Sequence, residues 1–294
     1  MSARGWRIAR RTTLFVASLL AFVYLLGPPL WMIRSSFMLD SELRTLPPRL
    51  LPEHPTLGHF SAILQLGDEH GVLERNTSLK DFLKSARNSL IVATVTTILT
   101  TFLGAVFAYS ISRFVGARQR KLILLGLLLL RMLPLIAVLI PIYLLMLLAG
   151  LLDTLHGLIL VYTGLLLPFA IWILEGFFRQ IPRELEEAAS IDGATRFQTF
   201  IKIILPISWN GMFVAGAFVF VSTWSDFVVG LILTNSIRAY PISVVIASSM
   251  APWNEPDWGV LNAAGLVTAI VPVLLAFALR GMVSGGRFAG ATKG

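Results

Sequence analysis

Cysteine is missing from all 294 residues, so neither a disulfide framework nor a thiolate metal site is available. Charge is scarce as well. Only 14% of residues are charged against 56% hydrophobic, and the mean hydropathy is +0.78. A soluble chain carries roughly 25% charged residues to coat its surface, so water is not the only solvent of this one. No G-x-x-x-x-G-K-[ST] phosphate loop occurs, so any ATP must be hydrolysed by another polypeptide. The four histidines show no ligand spacing, and no Ser-His-Asp set or carboxylate pair stands out. His54, His59 and His70 fall in a polar loop and are expected to be solvated. No catalytic, cofactor-binding or metal-ligating residue is assigned. The net charge is +8, but the basic residues stand at the ends of apolar runs and not on a polar domain. That pattern records membrane orientation and speaks against nucleic acid as a partner.

The apolar runs cover 12–33, 88–112, 122–152 (broken only by Arg131), 155–174, 207–233 (with Asp226 inside) and 259–279. A bilayer core of ~30 Å needs ~20 apolar residues in a helix, and lipid offers no partner to an exposed backbone amide. The expectation is an all-α integral membrane protein with six transmembrane helices. The first run is too long for a signal-peptide core and has no small-residue cleavage site after it, so it is expected to be retained. Fifteen of the 24 Lys and Arg fall at ends that an N-in, C-in arrangement places in the cytoplasm. The expected division is an N-terminus at 1–11, a first span at 12–33, an extracytoplasmic loop at 34–87, a core at 88–280 and a C-terminal tail at 281–294.

The outer loop opens on Pro47, Pro48, Pro52 and Pro55 and ends in a segment where Ser78 and Asp81 have capping-box spacing. Leu79, Phe82, Leu83 and Ala86 then share a face, which predicts a surface helix forming an elbow into the second span. Between the fourth and fifth spans, Pro182 suits a first helical position and Glu184, Glu186 and Glu187 suit a first turn. Leu185, Ala188 and Ala189 make a small apolar face, and Asp192-Gly193 signals a turn. Phe197, Phe200, Ile201, Ile204 and Leu205 then form a helical stripe closed by Pro206. This is a compact amphipathic helix pair with small residues at its bend, where another protein's surface has room to approach; a membrane-surface pair without a partner is the alternative.

The same segment resembles the signature of ATP-binding-cassette (ABC) importer permeases: E-A-A, three residues, G, nine residues, I-x-L-P. Here it reads Glu187, Ala188, Ala189, Gly193, Ile203, Leu205, Pro206, with every spacing met. Asn88-Ser89-Leu90 opens the second span and Pro168-Phe169-x-x-Trp172 precedes the loop. The ending from Phe288 to Gly294 is similar to the tail of maltose-transporter-type permeases, the carbohydrate branch. The resemblance implies a permease subunit in a bacterial inner membrane, paired with a second permease. It further implies a cytoplasmic ATPase dimer that binds ATP and Mg, and an extracytoplasmic substrate-binding protein. In this picture the loop, including Asp192, is a coupling helix docked on the ATPase.

Arg131, Asp226 and a group of threonines are polar positions within the apolar runs. Arg131 either lines a path or pairs with the partner permease, or else it snorkels to an interface. Asp226, beside Trp224, either serves sugar recognition or makes an interhelical polar contact. Thr94, Thr97 and Thr101 form a stripe, with Thr96 and Thr100 beside it, of the kind that glues membrane helices. Trp253 and Trp258, near Pro252 and Pro256, read as an outer aromatic belt. The rival functions are a permease for a non-sugar solute, an ion-coupled secondary transporter, and a membrane anchor for a cytoplasmic partner.

Overall fold

The computed structural model describes the backbone of residues 3–67, 77–250 and 256–284, and the side chains within 11–67, 79–250 and 256–280. Every regular element among them is helical: α1 (Ala3–Ser36), α2 (Asp40–Leu43), α3 (Gly58–Ile63), a 3-10 turn (Thr77–Asp81), α4 (Phe82–Phe114), α5 (Ala117–Arg131), α6 (Leu135–Leu148), α7 (Leu155–Phe178), α8 (Glu184–Ile191), α9 (Arg196–Ile207), α10 (Trp209–Trp224), α11 (Val228–Leu233), α12 (Ile242–Ser248) and α13 (Trp258–Ser284). Four of these are long and apolar enough to cross a membrane, and two bent pairs, α5 with α6 and α9 with α10, pass the same test jointly. The Ser78 side chain, Pro252 and Trp253 of the expected aromatic belt, and the tail from Phe288 to Gly294 lie outside the described residues.

Three expectations about the spans change. The run at 122–152 is two helices meeting at 87° across Met132–Pro134. Pro134 lacks an N–H and disfavours the helical conformation of the residue before it, which accounts for the break there. The run at 207–233 is also interrupted: α10 ends at Trp224, and α11 begins only at Val228. The elbow predicted from Leu79, Phe82, Leu83 and Ala86 is absent. The 3-10 turn leads directly into α4, which runs 33 residues to Phe114 without an interruption.

The chain forms two compact units, Met1–Leu83 with Ile246–Ile270, and Lys84–Val245 with Val271–Gly294. In the first, the apolar side chains of α1 from Leu14 to Trp31 stand largely exposed. Phe37 packs on Phe60 with ring centroids 5.3 Å apart, and buried Glu42 accepts from the amides of Glu53 and His54. His59 is not solvated: only 2% of it is exposed, its Nε2 lies 2.9 Å from the Met38 carbonyl, and its ring fills the space over Gly259. His54 is exposed.

In the second unit α7 is the central helix, packed by α5, α10 and α11. One apolar cluster includes Leu139, Leu158, Tyr162, Leu166 and Val229, and another includes Ala105, Ala108, Leu174, Phe178 and Ile204. Membrane helices gain little from the hydrophobic effect against one another and depend on close packing at small residues. A Cβ on Gly104 would lie 3.2 Å from that of Ala170, and one on Gly211 would meet the Phe177 ring at 2.5 Å, so α4 and α10 approach α7 where side chains are smallest. Thr97 returns its hydroxyl to the Ala93 carbonyl, whereas the buried hydroxyls of Thr96, Thr100 and Thr101 have no partner among the described residues.

Candidate functional site

The helix pair is built by cap chemistry. Glu184 opens α8, with Pro182 two residues ahead of it and not in its first turn as expected. Gly193 closes it: its φ of +81° lets the Ala194 amide reach back to the Ala189 carbonyl and its own amide to Ser190, a Schellman termination. Two residues later Thr195 caps α9. Its hydroxyl accepts from the Gln198 amide while the Gln198 side chain accepts from the Thr195 amide. The hairpin is therefore rigid at its bend without contributing bulk there.

Within α9, residues Phe200–Ile204 form a π turn. The stripe expected from Phe197 to Leu205 splits across this segment. Phe200 and Ile204 are buried, while Phe197 is 73% exposed and Ile201 also faces outward.

The signature residues divide the same way. Glu187, Ala188, Asp192, Gly193 and Pro206 are exposed; Ala189 is buried, and Ile203 and Leu205 are half-buried. Nothing lies within 4 Å of a Cβ built on Gly193, so the bend faces open space. Glu187 borders a cleft of about 210 Å³ with Tyr109, Glu186, Ser190 and Arg196, and the Arg196 guanidinium sits 4.9 Å from the Phe114 ring centre.

Two acids beside this hairpin had no pairing role expected from sequence: Glu186, half-buried and expected only as a first-turn acid, and Glu175, which is buried. Glu186, one residue before the signature, pairs with Arg113 and accepts from the Tyr109 hydroxyl at 2.8 Å. Glu175 near the end of α7 lies 3.5 Å from Arg120. The signal for both was present: the topology expected from Lys and Arg puts Arg113, Arg120, Glu175 and Glu186 at one face.

Arg131 and Asp226, the charged residues of the apolar runs, both contact α7 but not one another. Asp226 lies in the break between α10 and α11. One carboxylate oxygen accepts from the Tyr162 hydroxyl (3.0 Å) and from the Val229 amide (2.9 Å), while its carbonyl accepts from Ser243. It thus satisfies the exposed start of α11, where an acid also suits the helix dipole. Trp224, at the end of α10, is buried and stacks on Phe220. Arg131 occupies the last turn of α5, donates to the Leu165 carbonyl at 3.2 Å and lies 6.0 Å from the Phe169 ring centre. It stands at the break between α5 and α6, not inside an unbroken span. Tyr162, Leu165 and Phe169 fall along one side of α7, and Arg131 and Asp226 take different partners there.

On the opposite face from the hairpin, polar side chains fasten the loop between α11 and α12. Asp153, with φ of +57°, accepts from the Asn235 and Ser236 amides at 2.9 Å each and from the Ser236 hydroxyl. Asn88 Nδ2 is within reach of three carbonyls, of Ile237, Arg238 and Tyr240, and Ser89 Oγ accepts from the Ile242 amide. Burial alone would raise the Asp153 carboxyl, but the Ser236 hydroxyl, the two amides and the Arg238 charge outweigh it and hold it below the usual carboxylate range.

An all-helical bundle with broken and unbroken apolar helices, bearing an exposed capped hairpin that carries the E-A-A signature, defines a polytopic membrane permease subunit with no ATPase site of its own. The chain belongs to the family described as binding-protein-dependent transport system inner membrane component, which matches residues 100–285. It is 31% identical over 287 residues to the trehalose/maltose transport system permease protein MalG of Thermococcus litoralis, covering 98% of both chains. It is 32% identical over 283 residues to the sulfoquinovosyl glycerol transport system permease protein SmoH of Agrobacterium fabrum, covering 95% of this chain and 93% of that one. Its fold is similar to a chain of a bacterial ABC transporter that imports the acidic polysaccharide alginate, with a TM-score of 0.76 at 19% identity over 95% and 97% of the two chains.

Proposed function

We propose that this chain is one of two permease subunits of an ABC importer for a sugar or oligosaccharide. It spans the membrane six times, with α5 and α6 forming one broken span, α9 and α10 another, and both termini in the cytoplasm. The hairpin of α8 and α9 is the coupling helix, docked on a cytoplasmic ATPase that holds ATP and Mg. Glu187 offers that partner a carboxylate, and Ala188 and Gly193 keep the surface low enough for close contact. A substrate-binding protein delivers the sugar from the other face. The single observation that carries this reading is the hairpin itself: seven signature positions at fixed spacing, built as a rigid turn with Ala188 and Gly193 exposed. The carbohydrate assignment rests on the relatives, whose names speak of trehalose, maltose and a sulfoquinovosyl glycoside, each over nearly the whole chain.

Asp226, Trp224 and Arg131 belong to the substrate path in this proposal, with Asp226 and Arg131 oriented by α7. A mild-detergent pull-down of the tagged chain is the first test. Recovery of an ATPase and a second polytopic chain is expected, followed by uptake of a sugar in reconstituted vesicles. A stable chain recovered alone, or uptake driven by a proton or sodium gradient without ATP, would overturn the reading.

A further inference from the structure

The hairpin is tied to one particular helix of its own chain. Glu186 turns inward where Glu187 turns outward, and both its oxygens are engaged by α4. Tyr109 donates to one at 2.8 Å, and Arg113 meets the other at 2.5 Å as an ion pair, not as an aligned hydrogen bond. The Arg113 side chain is 6% exposed and also donates to the Ile181 carbonyl at 3.0 Å, ahead of α8. The Tyr109 ring packs between Phe178 and Phe200, with centroids at 6.2 and 4.9 Å. A helix of eight residues has no stability alone, so these contacts decide where α8 sits.

At its other end the same helix holds the loop before α12 through Asn88 and Ser89. Between the two fastenings α4 is continuous, whereas the α5–α6 and α9–α10 pairs bend by 87° and 77°. A continuous ladder of backbone hydrogen bonds carries a displacement from end to end; a sharp joint absorbs it.

We infer that α4 transmits movement of the docked ATPase to the loop on the opposite face. Arg113 and Tyr109 are the positioning residues that lock the coupling helix to it through Glu186. This rests on the docking reading above, which supplies the partner but neither the latch nor the route.

The test uses the assembled importer in liposomes, with a solvatochromic fluorophore on Asn235→Cys in this otherwise cysteine-free chain. ATP and Mg are added, and ATPase retention is scored separately by co-purification. In the wild-type background nucleotide is expected to change the fluorescence. Arg113→Gln should retain the ATPase but lose about tenfold of that change, a typical coupling between sites, and Arg113→Glu combined with Glu186→Arg should restore it. A purely structural role would lower the yield and leave the response of assembled complexes intact. A full response in assembled Arg113→Gln, or no response in the wild type with the ATPase bound, would overturn the inference. If Arg113→Gln is not recovered, Glu186→Gln keeps the side-chain shape and removes the ion pair, and a full response there is equally decisive. Failure of the wild-type chain to retain any ATPase would instead overturn the docking reading, and the inference with it.

Discussion

The two ends of α4 are held by different chemistry. At the Phe114 end the fastening is charged: Arg113 and Glu186, with the Tyr109 hydroxyl beside them. At the Asn88 end it is neutral, an amide directed at three carbonyls and a hydroxyl at one amide. A neutral network of this kind is geometric and fixes one arrangement of the loop. An ion pair is less directional and tolerates small rotations of its partners. In the proposed importer, the difference suits an end that follows a moving partner and an end that holds shape.

If that contrast is right, damage near the hairpin should appear as lost transport, and damage at the far end as lost stability. The largest effect is expected at Gly193. Gly193→Leu puts a side chain where φ is +81°, at roughly 1–2 kcal/mol of backbone strain, and fills the open space at the bend. The protein should still insert, at near-normal levels in the membrane fraction, while uptake falls to background; normal uptake would remove the hairpin from the coupling route. Asn88→Ala comes next. It leaves the carbonyls of Ile237, Arg238 and Tyr240 without their amide donor, a cost of about 1–3 kcal/mol that should lower the melting temperature in detergent. ATPase retention should be unchanged. If retention fell while the melting temperature held, the assignment of roles to the two ends would be reversed.

The smallest effect should come from Asp153 and is read through pH. Its carboxyl titrates below the usual range in the folded chain. The stability it contributes is therefore fully present above the unfolded value of about 3.9 and is lost as pH falls through the lower folded value. Melting should be flat with pH from 7 to 5 in so far as this group controls it, and should drop under more acid conditions. In Asp153→Asn that part of the acid dependence should vanish. An unchanged acid profile would mean the loop is held by Asn88 and Ser89 alone.

Hydropathy marked the apolar helices because lipid imposes one requirement on every residue that meets it. It could not mark the breaks. The run through 122–152 stays apolar across Met132 and Leu133, and only Arg131 and Pro134 record the change of direction; through 207–233 only Asp226, which caps α11, does so. The α8–α9 hairpin was readable because its caps are local, with Gly193, Thr195 and Gln198 all within six residues. Its π turn was not, since no residue type in Phe200–Ile204 demands one. The partners of Glu186 and the burial of His59 depend on residues far along the chain, Arg113 in one case and Gly259 in the other. Periodicity carries no information at that range.

The unbroken course of α4 also makes the protein a gauge of bilayer thickness. Asn88 and Arg113 stand about 38 Å apart along a helix of ordinary rise, farther than the ~30 Å of hydrocarbon in a bilayer. An upright α4 therefore holds both anchor points at the level of the lipid headgroups. A thicker membrane would press hydrocarbon against Arg113 or Asn88, and a thinner one would favour tilt, with a modest cost for each ångström of mismatch. The broken spans can fold that mismatch into their joints; α4 must answer it by leaning, and takes its two fastenings with it.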